Sequence, residues 1–317
     1  MQSLTYDTRL ELRESPMPEE CSSEALIRVQ RAGICSTDLE LCKGYMNYTG
    51  ILGHEFVGIV EKANQQEKFH GKRVVGEINA ACHACETCQA GRPTHCPNRT
   101  VLGISGRDGT FAEFLRLPFQ NLHSIPDTLT DDEAIFIEPL AAACEITQQV
   151  DVQPTDRIVV IGDGKLGLLC AQVLRLTGCG VTLVGHHPER NHWLKNRGVQ
   201  ITSHPNDVAV GADIVVEATG TPEGFSFASS MVRPRGSIIL KSTYHGNLTF
   251  DMAKIVINEI SIIGSRCGPF APAIRLLEQG LIQVKPMIHD HYALKNGITA
   301  IEQASSKGTL KVILCMD

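Results

Sequence analysis

Four cysteines, Cys82, Cys85, Cys88 and Cys96, form a C-x2-C-x2-C-x7-C run. Thiolates at this spacing converge on one soft divalent ion, and a tetrahedral all-sulfur set selects zinc. With all four positions filled by protein, the ion has no open coordination site. Its role would be to brace a loop that has little apolar core of its own. Gly91 and Pro93 fall within the run, as do His83 and His95, which are expected to be solvated rather than ligands. Further metal-type donors lie in three separated segments: Gly33-Ile34-Cys35-Ser36-Thr37-Asp38, Gly53-His54-Glu55 and Glu138-Pro139-Leu140-Ala141.

A different chemistry is written in Gly162-Asp163-Gly164-Lys165-Leu166-Gly167. It follows the strand-like run Arg157-Ile158-Val159-Val160-Ile161 and opens a helix expected over Leu168 to Leu176. In G-x-G-x-x-G the first glycine makes the turn, the second lets backbone approach a pyrophosphate, and the third permits close helix–strand packing. The helix N-terminus then faces the phosphates. At the end of the next strand, Val181 to Val184, an NAD site usually carries Asp or Glu for the ribose hydroxyls. Here that position is Gly185, followed by His186, His187 and Arg190. A missing carboxylate and nearby donors favour a ribose phosphate, so NADP is expected ahead of NAD.

These motifs, taken in order along essentially the whole chain, resemble the zinc-containing medium-chain dehydrogenase/reductase superfamily. Glu138 resembles the sorbitol and threonine dehydrogenase branch rather than the branch with cysteine there. The resemblance implies one structural zinc on the four cysteines and one catalytic zinc. For the catalytic ion, three protein ligands and one open position are needed. Cys35 and His54 supply two, and either Glu138 or Glu55 supplies the third, with Glu138 favoured. Zinc would act as a Lewis acid that lowers the pKa of an alcohol. The resemblance further implies that Thr37 starts a proton relay and that Asp38 orients the ligand histidine. Glu40 stands where many relatives carry histidine, so it gives no guide to the substrate.

The elements that must position these residues are of two textures. The first half holds short β-rich runs broken by glycine: Ala25–Val29, Val57–Val60 and Arg73–Val75. From about position 138, apolar strand runs alternate with helical stretches. They are Arg157–Ile161, Val181–Val184, Asp213–Glu217, Ser237–Leu240 and Ile260–Ile263. Such alternation indicates a parallel sheet covered on both faces. The last fifty or so residues are expected to hold one helix, Ala273 to Gln279, and a strand, Lys311–Leu314. The fold class expected is α/β, with a doubly wound Rossmann domain over 139–268 and a β-rich, GroES-like catalytic domain over 1–138. Residues 269–317 return to the catalytic domain, and the active site is expected in the cleft between the domains. Lys241-Ser242-Thr243 and the segment from Gly264 through Arg266 to Phe270 follow parallel strands, where ligands bind in such sheets. Arg266 would be either an anion contact or a surface arginine.

Composition bounds the function. The chain has 317 residues and a net charge of -6, which gives no basic surface for nucleic acid or anionic lipid. No apolar run suggests a membrane span, and the N-terminus has no signal-peptide pattern. Twelve cysteines without such a signal read as reduced thiols and bound metal in the cytoplasm. The expectation is an oxidoreductase moving a hydride between an alcohol or polyol carbinol and NAD(P). The alternatives are an NADPH-dependent aldehyde or ketone reductase and a non-enzymatic dinucleotide-binding zinc protein. The partner is a small alcohol or carbonyl substrate, and a homodimer or homotetramer is expected.

Overall fold

In the strand Glu24–Gly33, Ala25, Leu26, Ile27, Val29 and Ala32 are all buried, and it is the hub of one sheet. A computed structural model describes residues 1–64, 66–243 and 250–316. It divides into two units, Met1–Glu138 with Ala273–Asp317, and Pro139–Pro272.

The first unit carries a seven-stranded sheet. Its order is Leu122–Ser124, Arg73–Gly76, Glu55–Lys62, Glu24–Gly33, Lys311–Cys315 and Ile288–Ala293, with Phe114–Pro118 also on the hub strand. Two registers matter for chemistry. Gly33 pairs with Glu55 on one side of the hub strand and with Ile313 on the other. Side chains two apart on a strand share a face, so Lys311 lies on the face of Ile313, diagonal to Gly33.

The second unit is a six-stranded, wholly parallel sheet. The strands run Val199–Thr202, Gly180–Val184, Arg157–Ile161, Ala212–Glu217, Val232–Leu240 and Ser261–Gly264. This is a doubly wound order whose direction reverses beside Arg157–Ile161, the position at which such sheets bind ligands. Val159, Ile161, Val215 and Ile238 pack in its core. The helix Lys165–Arg175 starts directly after Gly164 and buries Gly167 through Leu174.

Three elements differ from the sequence expectation. Val199–Thr202 is an additional edge strand, only four residues long, too short to show a period of its own. Ile288–Ala293 is a mostly exposed strand, held by parallel pairing with Lys311–Cys315 rather than by apolar alternation. Gly297–Ser305 is a helix that begins on a glycine, a poor helix former. The return to the first unit falls at Ala273, within the helix Phe270–Glu278. Among the described residues no helix is long and apolar enough to cross a membrane.

Candidate metal centres and dinucleotide loop

Asp38 organises one donor cluster. The helix Ser36–Leu41 begins after Cys35, and Asp38 at its third position is fully buried. Its Oδ2 accepts from the Cys35 backbone N–H at 2.7 Å. Its Oδ1 accepts from the Gly53 N–H at 3.2 Å and lies 3.2 Å from His54 Nδ1. One carboxylate thus ties the segments of Cys35 and His54 together. Gly53 has φ +93°, and a Cβ there would lie 2.4 Å from the Phe111 ring, so only glycine fits the turn that delivers His54. Burial opposes charge on His54, but Asp38 and Cys35 outweigh it and hold its pKa well above the ordinary histidine value. The Thr37 hydroxyl lies 3.8 Å from Cys35 Sγ.

Cys35, His54 and Glu55 bring one donor atom each within 4.8 Å of one another. Glu138, favoured on sequence as the third donor, is outside this group. Glu138 is the second residue of the helix Ile137–Cys144, whereas Glu55 enters from the strand that His54 precedes. Glu55 is held by a feature invisible in sequence. A Cβ on Gly33 would stand 2.1 Å from Glu55 Oε2, so the missing side chain of Gly33 gives that carboxylate its space. Across Gly33, Lys311 Nζ donates to Glu55 Oε2, with both side chains buried. Lys311 Nζ also sits 5.5 Å from the Phe136 ring centroid. Glu55 Oε1 is buried without a hydrogen-bond partner among the described residues, as suits an oxygen reserved for a metal.

The four-cysteine loop forms the second cluster. Cys85 Sγ lies 3.5 Å from Cys88 Sγ and 3.7 Å from Cys96 Sγ, and Cys96 Sγ lies 3.4 Å from Cys82 Sγ. Zinc–sulfur bonds of ~2.3 Å give a tetrahedron with edges of about 3.8 Å, so the sulfurs fit that ion. Backbone N–H groups of Ala84 and Cys85 lower the Cys82 thiol to about 6, while burial raises Cys88 to about 12. His83 and His95 are exposed and outside the sulfur cluster.

In the second unit Gly162 has φ +106°, and a Cβ there would meet the Ala218 carbonyl at 2.6 Å. A Cβ on Gly167 would stand 1.9 Å from the Gly162 oxygen, so helix and turn pack as the motif requires. Gly164, Lys165 and Leu166 open the helix. The end of the second strand differs from the sequence expectation. The space beside Gly185 is filled by the side chain of Asp163, so a carboxylate is present there after all. His187 and Arg190, expected as phosphate donors, both contact Asp163, while His186 is exposed. Lys241 is buried, and its Nζ donates to the Ala142 carbonyl at 2.6 Å and to the Arg266 carbonyl at 3.1 Å. The Arg266 residue itself is exposed.

The family described as alcohol dehydrogenase GroES-like domain matches residues 22–127. The family described as zinc-binding dehydrogenase matches residues 166–279. The chain belongs to the zinc-containing medium-chain dehydrogenase/reductase superfamily. As a medium-chain dehydrogenase it is a zinc-dependent oxidoreductase of the alcohol dehydrogenase type that uses NAD or NADP. It is 28% identical to a sorbitol dehydrogenase of Halalkalibacterium halodurans, over 96% of this chain and 94% of that one. It is 28% identical to D-arabinitol dehydrogenase 1 of Uromyces fabae, over 91% and 89% of the two chains. Among solved structures, alcohol dehydrogenase TADH from Thermus sp. ATN1 superposes with TM-score 0.89 at 27% identity, covering 99% of each chain. A zinc-binding dehydrogenase from Sinorhizobium meliloti bound to NADP gives TM-score 0.89 at 26% identity, over 99% of this chain and 98% of that one.

Two residues of this dehydrogenase escape sequence reasoning. Lys311 is a lone cation among Leu310, Val312, Ile313 and Leu314. That is a weak signal of a buried partner, and nothing local names Glu55. Asp163 reads as a variable position of the glycine motif, with no sign of what its side chain touches.

Proposed function

We propose that this dehydrogenase acts on a polyol or a closely related alcohol, with Cys35, His54 and Glu55 holding the catalytic zinc and Glu138 the alternate third ligand. The convergence of the three donors within 4.8 Å carries the assignment. A thiolate, an imidazole and a carboxylate leave a fourth position open for a substrate oxygen. When bound, zinc supplies a Lewis acid and the dinucleotide a hydride acceptor. With Nδ1 facing Asp38, His54 offers Nε2 as donor. Lys311 holds one oxygen of Glu55 and keeps the other for the metal. Thr37 accepts the proton of the substrate hydroxyl and passes it outward, from a hydroxyl 3.8 Å from Cys35 Sγ. Cys82, Cys85, Cys88 and Cys96 hold the second, structural ion. Gly162, Gly164 and Gly167 shape the pyrophosphate turn.

The polyol class is supported by the two relatives named for sorbitol and D-arabinitol. Self-association as a homodimer is supported by the edge strand Ser261–Gly264 and the exposed apolar side chains of Met252, Val256, Ile257 and Ile262. The test is turnover of sorbitol, xylitol and arabinitol against simple primary alcohols, using protein shown to carry two zinc ions. Oxidation of at least one polyol with either dinucleotide is expected. No polyol turnover by the doubly loaded protein would reject the substrate class.

A further inference from the structure

We propose that Asp163, within the glycine motif itself, is the cofactor-selecting carboxylate of this chain and makes it prefer NAD over NADP. The inference rests on Gly162 to Gly167 being the dinucleotide loop. In doubly wound sheets, the acid at the end of the second strand accepts from the adenosine ribose hydroxyls. Gly185 occupies that end and offers no side chain. The vacated volume is filled from the neighbouring loop. A Cβ built on Gly185 would lie 2.2 Å from both Cβ and Cγ of Asp163 and 2.7 Å from its Oδ2. The carboxylate therefore starts where a side chain of residue 185 would start, but is carried by the first turn.

Its position is fixed from several sides. Oδ2 accepts from the His187 N–H at 2.7 Å and from Asn191 Nδ2 at 2.9 Å, and Asn191 is fully buried. Arg190 Nη2 donates to the Asp163 carbonyl at 2.9 Å and lies 3.7 Å from Oδ2. His187 Nδ1 lies 3.3 Å from the same oxygen. Two of the three side chains that would otherwise meet a ribose phosphate, His187 and Arg190, thus lie beside the Asp163 carboxylate of the protein. Among the described residues no donor reaches Oδ1, which leaves that oxygen for a ribose hydroxyl. A phosphate on the same ribose would face a fixed like charge in poorly solvated surroundings, which disfavours it.

Isothermal titration of the zinc-loaded protein, without substrate, measures the dissociation constants of NAD and NADP directly. The unmodified protein is expected to bind NAD at least about tenfold more tightly, the size of effect one charge-assisted contact produces. Asp163→Asn keeps an oxygen acceptor for the His187 N–H but removes the charge. It should shrink the NAD-to-NADP ratio at least about fivefold, mainly by tightening NADP. Gly185→Asp alone has no room for its Cβ and should weaken both dinucleotides. Combining it with Asp163→Gly should restore NAD preference. Equal or tighter binding of NADP by the unmodified protein overturns the proposal, whether or not any variant folds. An unchanged ratio in a natively folded Asp163→Asn protein also overturns it. If neither dinucleotide binds the unmodified protein, the loop assignment fails and the proposal with it.

Discussion

Asp38 and Lys311 are the residues whose loss should be felt furthest from their own positions. Asp38 bonds the backbone of Cys35 and of Gly53 and faces His54. Asp38→Asn should weaken the catalytic zinc by about 10–100-fold, as loss of an orienting partner does. Chelator competition reads this directly, and an unaltered affinity would remove Asp38 from that role. The raised pKa of His54 adds a pH dependence. In the metal-free protein the imidazolium stabilises the fold at low pH, and that contribution is lost as pH rises through the raised value. A metal needs the neutral ring, so zinc affinity at this site, read by chelator competition, should keep rising with pH until the raised value is passed. The buried Glu55–Lys311 pair obeys a different rule. Removing one partner leaves a buried charge unpaired, so Lys311→Met should cost about 3–5 kcal/mol in denaturant unfolding. Adding Glu55→Gln to Lys311→Met should recover a large part of that loss. Additive costs would show that the two side chains do not depend on each other.

At the scale of elements, the four-cysteine loop and the strands around Gly33 are built on opposite principles. The loop has one fully buried cysteine, Cys96, and short helices, Glu86–Gln89 and Pro93–His95. Such a segment gains its order from a metal rather than from a core. Cys85→Ser should halve the zinc content and open residues 82–96 to limited proteolysis, while Cys35→Ser should lose the other zinc without that nicking. Equal protease resistance in both variants would reject a bracing role. With the Cys82 thiol lowered and the Cys88 thiol raised to about 12, a metal-free loop near neutral pH still holds a protonated thiol at Cys88. Zinc uptake by the loop should therefore release protons, visible as a buffer-dependent heat of binding. The strands around Gly33 need no metal, because antiparallel pairing of Gly33 with Glu55 and Ile313 already sets the registers.

For the whole molecule, the edge of the parallel sheet sets the expectation. Among the described residues, Ser261–Gly264 pairs on one side only, with Val232–Leu240. The adjoining helix Met252–Ile257 is mostly apolar and exposes Met252, Val256 and Ile257. A second copy can satisfy both by a two-fold, strand-to-strand contact. Sedimentation should give at least twice the mass of one chain, and Ile262→Lys should shift the protein toward monomer. A monomeric unmodified protein at micromolar concentration would reject this surface as the contact.

The sequence by itself determined the parts whose chemistry is local. Cys82, Cys85, Cys88 and Cys96 lie close enough along the chain to imply their own metal. Gly162, Gly164 and Gly167 imply a tight turn at a strand–helix junction wherever they occur. Arg157–Ile161 and its companion strands announce a parallel sheet through their unbroken apolar runs. What only the tertiary structure decided involves residues that meet across strands or loops. Glu55 comes close to Cys35 and His54 because Gly33 leaves room for its carboxylate and Lys311, 256 residues away, holds it. The carboxylate beside Gly185 comes from Asp163 because the first turn folds back against the end of the second strand. In both cases a glycine marks the place, but a missing side chain does not say which neighbour fills the space it leaves.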